Sequence, residues 1–217
     1  MTHTIDDAQR KAANVVGFTY LIALLPAVFA EFYIRDRLIN YHDAAQTALN
    51  IVSHERLFRL GIASNLAVFA IDVALITALY VVLKPVHQRL ALLAAGWGLI
   101  ETAILVVTTL TDFDVLRILT GGDYLRAFEA DRLQALASLS ISAHRAVYNV
   151  GLVFAGLRST VFCYLWLASG FIPKALAGWG VFASFLMGAC AFAFIRKDAN
   201  TPQPANAFGM KPDLSHR

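Results

Sequence analysis

Three ionisable residues stand inside long apolar runs of the chain: Asp72, Glu101 and Arg158. A charge left at the centre of an oily phase costs about 2.5 kcal/mol or more, so each needs a partner or a task. Asp72 lies eleven positions from the Lys84 end of its run, Glu101 about twelve from the Arg89 end of the next, and Arg158 about ten from the Ser169 end of a third. Antiparallel neighbours place those three ends on one side. At ~1.5 Å rise per residue all three side chains then sit ~15 to 18 Å deep, in one polar layer. Two carboxylates and a guanidinium at a common depth support two chemistries. The plainer is an ion-paired clasp holding three helices together. The sharper is a solvated pocket in which one carboxylate binds or relays a proton or a cation.

A second set runs along the Arg158 segment. Tyr148, Gly151 and Arg158 follow His144 at offsets of four, seven and fourteen, and Ser140 precedes it by one turn. These offsets return to nearly the same face of a helix, and lipid would exclude His144 and Arg158, so the stripe faces an interior. Ser140 and His144 also fit half of a nucleophile–base pair with Asp72 or Glu101 as orienting acid. Against this, no Gly-x-Ser-x-Gly elbow exists and Ser140 and Asp72 differ in depth. Asn65 lies seven residues before Asp72 and shares its face, while Trp97, one turn before Glu101, reads as packing. At the membrane edge stand Glu31, Arg35, His42, Asp43, His54 and Glu55, of which Glu31 and Arg35 are secondary site candidates. The spacing of the two histidines matches no metal motif, and the chain contains no phosphate-cradling glycine loop, Cys-x-x-Cys or HExxH. No metal and no cofactor are expected.

The elements that must position these residues follow from composition. Of 217 residues 58% are hydrophobic and 15% charged, with a mean hydropathy of +0.60; a soluble domain carries about a quarter charged residues. Apolar runs cover 13–34, 60–83, 90–111, 142–168 and 175–195, and ~20 residues suffice to cross ~30 Å of hydrocarbon. Val28-Phe29-Ala30 would suit a signal peptidase, but Asp6 and Asp7 precede the first run and it continues past Ala30, so it is read as a retained span. From Arg35 to Arg56 apolar residues recur at helical spacing among polar ones, the pattern of a helix lying on the membrane surface. Lys84 to Arg89 is a short turn that makes the second and third spans a hairpin.

Asp112 to Arg132 reads as a polar connection broken at Gly121-Gly122. A helical pattern from Ala130 to Ala168 extends ~60 Å, longer than a bilayer, so its first turns project or bend. Ser169-Gly170 and Pro173 end it. The expected fold is an all-α transmembrane bundle of about five spans with an interfacial amphipathic helix after the first. It forms one domain over 1–195, and a polar tail over 196–217 is read as disordered. Gly151 with Ala155, and Gly178, Gly180, Ala183 and Gly188, permit close helix packing. Cys163 and Cys190 read as small buried thiols. The net charge of +3 comes from scattered basic residues that form no Lys/Arg block, and no nucleic-acid surface is expected. The same scatter, offset by carboxylates, fixes no orientation of the termini.

Many short segments carry a family resemblance. They include Ala30-Glu31-Phe32 with Arg35 and Arg37, Leu57-Phe58-Arg59-Leu60-Gly61-Ile62, Asp72-Val73-Ala74-Leu75, Pro85-Val86 and Leu90-Ala91-Leu92-Leu93-Ala94-Ala95. Further on come Glu101, Tyr124 with Ala127-Phe128, Leu133-Gln134-Ala135-Leu136-Ala137, His144 with Tyr148, Gly151-Leu152-Val153-Phe154, and Ser169-Gly170-Phe171 with Pro173. On these, from about Ala30 to Ala177, the chain resembles the bacterial integral membrane family known as domain of unknown function 4386. The resemblance implies a helical protein of the bacterial inner membrane and assigns no activity. This chain departs from the family pattern, which has an Asp at the place of Asn65, an Arg near Trp97, a His at Arg158, and a further hydrophobic helix where this chain turns polar at Arg196.

The leading functional expectation is a multi-pass protein of the cell membrane that binds a small molecule or ion at its polar layer, or serves as a subunit of a membrane complex. Its expected partners are the lipid bilayer and other membrane subunits, with no nucleic acid. The alternatives are a membrane-embedded hydrolase or metal-dependent enzyme, and a purely structural membrane protein.

Overall fold

In an apolar setting a backbone segment must satisfy its own hydrogen bonds, and every regular element among the described residues is a helix. The computed structural model describes residues 16–19, 21–22, 25–40, 43–121 and 128–200, without the side chains of 31, 32, 44, 131 and 197–200. The polar start, part of the first expected span, His42, Tyr124 and the tail from 201 onward fall outside these. A π-helical turn, Phe29–Arg35, runs into a single α-turn, Asp36–Leu38. Then follow α1 (Ala44–Ser53), α2 (Glu55–Thr120), α3 (Ala130–Ser169) and α4 (Lys174–Asn200). Three of these, α2, α3 and α4, are long and apolar enough to cross a membrane.

The 66 residues of α2 would reach ~100 Å as a straight rod. They do not, because Pro85 supplies no N–H and its ring crowds the preceding turn. The backbone breaks at His87 (φ −158°, ψ 94°). The break is capped: His87 Nδ1 accepts the N–H of Leu90 at 3.2 Å, as an N-cap side chain does. Residues 55–86 and 88–120 are thus two arms of a hairpin. The Thr102 hydroxyl donates to Asp72 Oδ2 at 2.8 Å, although thirty residues of straight helix would hold them ~45 Å apart. Near the turn Ile76, Val82 and Leu83 of the first arm pack on Ala91, Ala94 and Ala95 of the second and on Phe162 and Leu165 of α3.

At the opposite end Ile34, Leu38, Ile51, Phe58, Val115, Leu116 and Ile141 form a second apolar cluster joining the π turn, α1, both arms and α3. The connection expected from Asp112 to Arg132 starts later than its composition suggests. Asp112 does not begin a connection; the second arm stays helical to Thr120. Val115 and Leu116, three and four residues past Asp112, are 0% and 2% exposed, so the buried stripe of the arm continues through its charges. Gly121, at φ 53°, ends it with its N–H on the Arg117 carbonyl.

α3 stops at Gly170, which takes the left-handed conformation (φ 69°, ψ 12°) that a helix C-terminus favours and that glycine reaches without penalty. α4 folds back on α3 where glycine faces glycine: a Cβ on Gly156 would fall 2.6 Å from the Gly188 Cα. With no side chain between them the backbones touch, the close approach that small residues allow between helices. The outer face of α4 carries Trp179, Phe185 and Phe192, each exposed by more than half. Cys190 also lies exposed on α4 and Cys163 is half-buried, so the two are not the buried thiols their apolar neighbours suggested. The helix runs on to Asn200, past the apolar run that ends at 195.

Candidate functional site: two buried charge clusters

The hairpin and α3 bring Asp72, Glu101 and Arg158 together. Arg158 Nη1 donates to both oxygens of Asp72 at 3.2 and 3.3 Å, and Nη2 donates to Glu101 Oε1 at 3.3 Å. Arg158 Nε lies 2.9 Å from Glu101 Oε2, yet neither atom completes an aligned hydrogen bond, so this contact is electrostatic only. The side chains are 19%, 7% and 14% exposed for Asp72, Glu101 and Arg158. Gly98 gives the guanidinium its room: a Cβ there would come within 2.6 Å of Arg158 Cδ and 2.8 Å of Ile76 Cδ1. With both carboxylates ionised the cluster carries one negative charge too many.

A second cluster lies further along the same helices. Asp112 follows Glu101 by eleven residues and His144 precedes Arg158 by fourteen, a displacement of ~16 to 21 Å. The third member, Arg35, comes from the end of the π turn. Arg35 Nη2 donates to Asp112 Oδ1 at 3.1 Å and contacts His144 Nε2 at 2.6 Å. A guanidinium only donates, so Nε2 must accept and the proton of a neutral imidazole sits on Nδ1. That nitrogen is 3.3 Å from the Thr108 carbonyl and 3.0 Å from Asp112 Oδ1. Every polar edge of the ring is therefore engaged. Arg35, Asp112 and His144 have side chains 8%, 6% and 6% exposed, and their charges sum to zero. A void of about 20 Å³, one water in size, lies against this cluster between Arg35, Asn65, Asp112 and Gly61.

The remaining sequence candidates fall around these two centres. Asn65 borders the Arg35–Asp112 pair by way of that void, and not the Asp72 cluster. Tyr148 stacks loosely on His144, with ring centroids 6.4 Å apart and planes 13° from parallel. Ser140 is half-buried one turn below His144. Glu31 lies within the π turn, and its side chain is outside the described set. His54 contacts the Asn50 carbonyl through Nδ1, and Glu55 pairs with Arg59 on the surface. Among the described residues no group of three metal-ligating side chains assembles. Asp112 and Thr102 join the clusters without standing among the sequence candidates. The signal for Asp112 was its eleven-residue offset from Glu101, three helical turns, which puts the two carboxylates on one face.

The family described as Domain of unknown function (DUF4386) matches residues 15–210 of the chain. No curated protein and no solved structure matches it.

Proposed function

We propose, for a chain that belongs to the DUF4386 family, a multi-pass membrane bundle that binds a small cation or a proton at Asp72, Glu101 and Arg158. The two arms of α2 cross the bilayer as a hairpin, α3 and α4 add two crossings, and the 13–34 run supplies a fifth. α1 lies at the interface with Leu49 and Val52 turned out of the bundle, 62% and 49% exposed. The outward apolar face of α4 supports lipid as its solvent, since so large an uncovered patch is foreign to a monomer in water.

One observation carries the binding role: two carboxylates share one guanidinium, and Glu101 Oε2 has no aligned donor. A buried layer with a surplus negative charge draws in a positive one, either a proton on a carboxyl or a metal cation beside it. Nothing in the site points to turnover. Both ring nitrogens of His144 are engaged, which leaves it no lone pair with which to activate Ser140.

The test uses the full chain in lipid nanodiscs, with infrared difference spectra taken on lowering pH and on adding sodium. A carboxyl band or a sodium-induced carboxylate shift that disappears in Glu101→Gln or Asp72→Asn supports the reading. Spectra identical in wild type and both variants overturn it. A second reading, a clasp alone, is favoured by Arg158 bridging three helical segments. It predicts that replacing all three residues by packed apolar ones leaves the cellular phenotype intact.

A further inference from the structure

The void of about 20 Å³ beside the Arg35–Asp112 pair is also lined by Ile34, Phe58, Gly61 and Asn65. It joins three segments: Ile34 and Arg35 come from the π turn, Phe58, Gly61 and Asn65 from the first arm of α2, and Asp112 from the second. Its apolar wall is shielded, with Ile34 2% and Phe58 5% exposed. Two polar groups on the wall are short of partners. Asp112 takes the Arg35 hydrogen bond on Oδ1, and Oδ1 is also the oxygen beside His144 Nδ1, so Oδ2 accepts no hydrogen bond among the described residues. The Asn65 amide makes none there either, although the residue is half-buried on a helix apolar enough to cross a membrane. Within a bilayer no bulk water reaches such groups, and each would lose its hydration without a compensating hydrogen bond.

We infer that this void is a binding site for a single water molecule that links Asn65 to Asp112. A held water needs about 10 to 15 Å³ and two to four polar partners. The void meets the first condition and is too small for a larger ligand. Asn65 Nδ2 donates to the water oxygen and the water donates to Asp112 Oδ2, which satisfies both groups with one neutral molecule. A metal cation of similar size is disfavoured, because Arg35 and Asp112 already cancel and a guanidinium on the wall repels a second positive charge. Gly61, one turn before Asn65, adds no side chain to the space; a Cβ there would already meet Ile34 Cγ2 at 3.2 Å. The bridge closes the hydrogen bonding of this cluster without adding charge and ties the first arm to the second at the end away from Pro85. It stands whether or not the Asp72 layer takes up a cation or a proton.

The full chain in lipid nanodiscs is exposed to short X-ray pulses, which convert a held water to a hydroxyl radical that oxidises the side chains touching it, and the oxidised residues are quantified by mass spectrometry. Phe162 is the internal reference, since at 4% exposed it is as buried as Phe58 but belongs to the apolar cluster at the hairpin turn. Phe58 is expected to be oxidised faster than Phe162. Asn65→Leu, which removes the amide and fills the space, is expected to lower Phe58 oxidation about tenfold, the order set by losing one hydrogen bond to the water. Equal rates at Phe58 and Phe162 in the unsubstituted chain overturn the inference and require no variant. A Phe58 rate unchanged in Asn65→Leu, folded by circular dichroism, overturns it as well. So does a rate that falls when sodium chloride replaces choline chloride, which would seat a cation where the water is assigned.

Discussion

The two buried clusters are built from the same arms of α2 and the same α3, yet they balance differently. At Arg158 two acids meet one base. At Arg35 one acid meets one base across a neutral imidazole whose two nitrogens are both used. The first is under-supplied with positive charge and with donors; the second is complete. Burial by itself does not mark a binding site. The mark is burial with the accounts of charge and hydrogen bonding left open, and of these two clusters the Asp72–Glu101–Arg158 layer has that.

Substitutions break this contrast in a definite order. Arg158→Met strands two carboxylates together and is expected to cost about 3 to 5 kcal/mol, read by chemical denaturation in detergent. Arg35→Met should cost less, because His144 remains beside Asp112; equal losses would erase the distinction. Next comes a pair of opposite outcomes. Asp112→Asn leaves Arg35 without its carboxylate and costs about 2 to 3 kcal/mol. Glu101→Gln instead reduces the crowded layer to one acid and one base, so its cost stays under about 1 kcal/mol while the infrared signal of the bound cation or proton is lost. Between them in size, Gly98→Ala pushes against Arg158 Cδ and Ile76 and is expected to destabilise by about 1 to 3 kcal/mol. It should disturb the Asp72 layer spectroscopically and leave the His144 ring resonances of the other cluster unmoved.

Apolar run length announces the long helices, and Pro85 announces the turn between the arms, because both depend on local chemistry. The depth arithmetic for Asp72, Glu101 and Arg158 relies only on distance from helix ends, which is again local. Asp112 was hidden because Thr111-Asp112-Phe113-Asp114 looks like the start of a loop by composition, whereas the helical stripe it belongs to shows only when Val115 and Leu116 are counted with it. Arg35 was harder still. Nothing in its own neighbourhood states how deep it sits, since that depends on the π turn before it and on the packing of Ile34 and Leu38 against the far end of α2. Cys190 shows the converse limit: an apolar neighbourhood in sequence does not say that protein covers a residue, and Cys190 is exposed.

The turn that delivers Arg35 has one more implication. A π turn bonds each residue to the fifth along instead of the fourth, so Phe29–Arg35 accommodates a residue more than an ordinary helix would over the same path. Wound at the usual pitch with no residue removed, the same segment would carry the guanidinium about 100° further around the axis, out of reach of Asp112 and His144. The aim of that side chain is therefore encoded in the pitch of the turn before it as well as in the identity of the arginine.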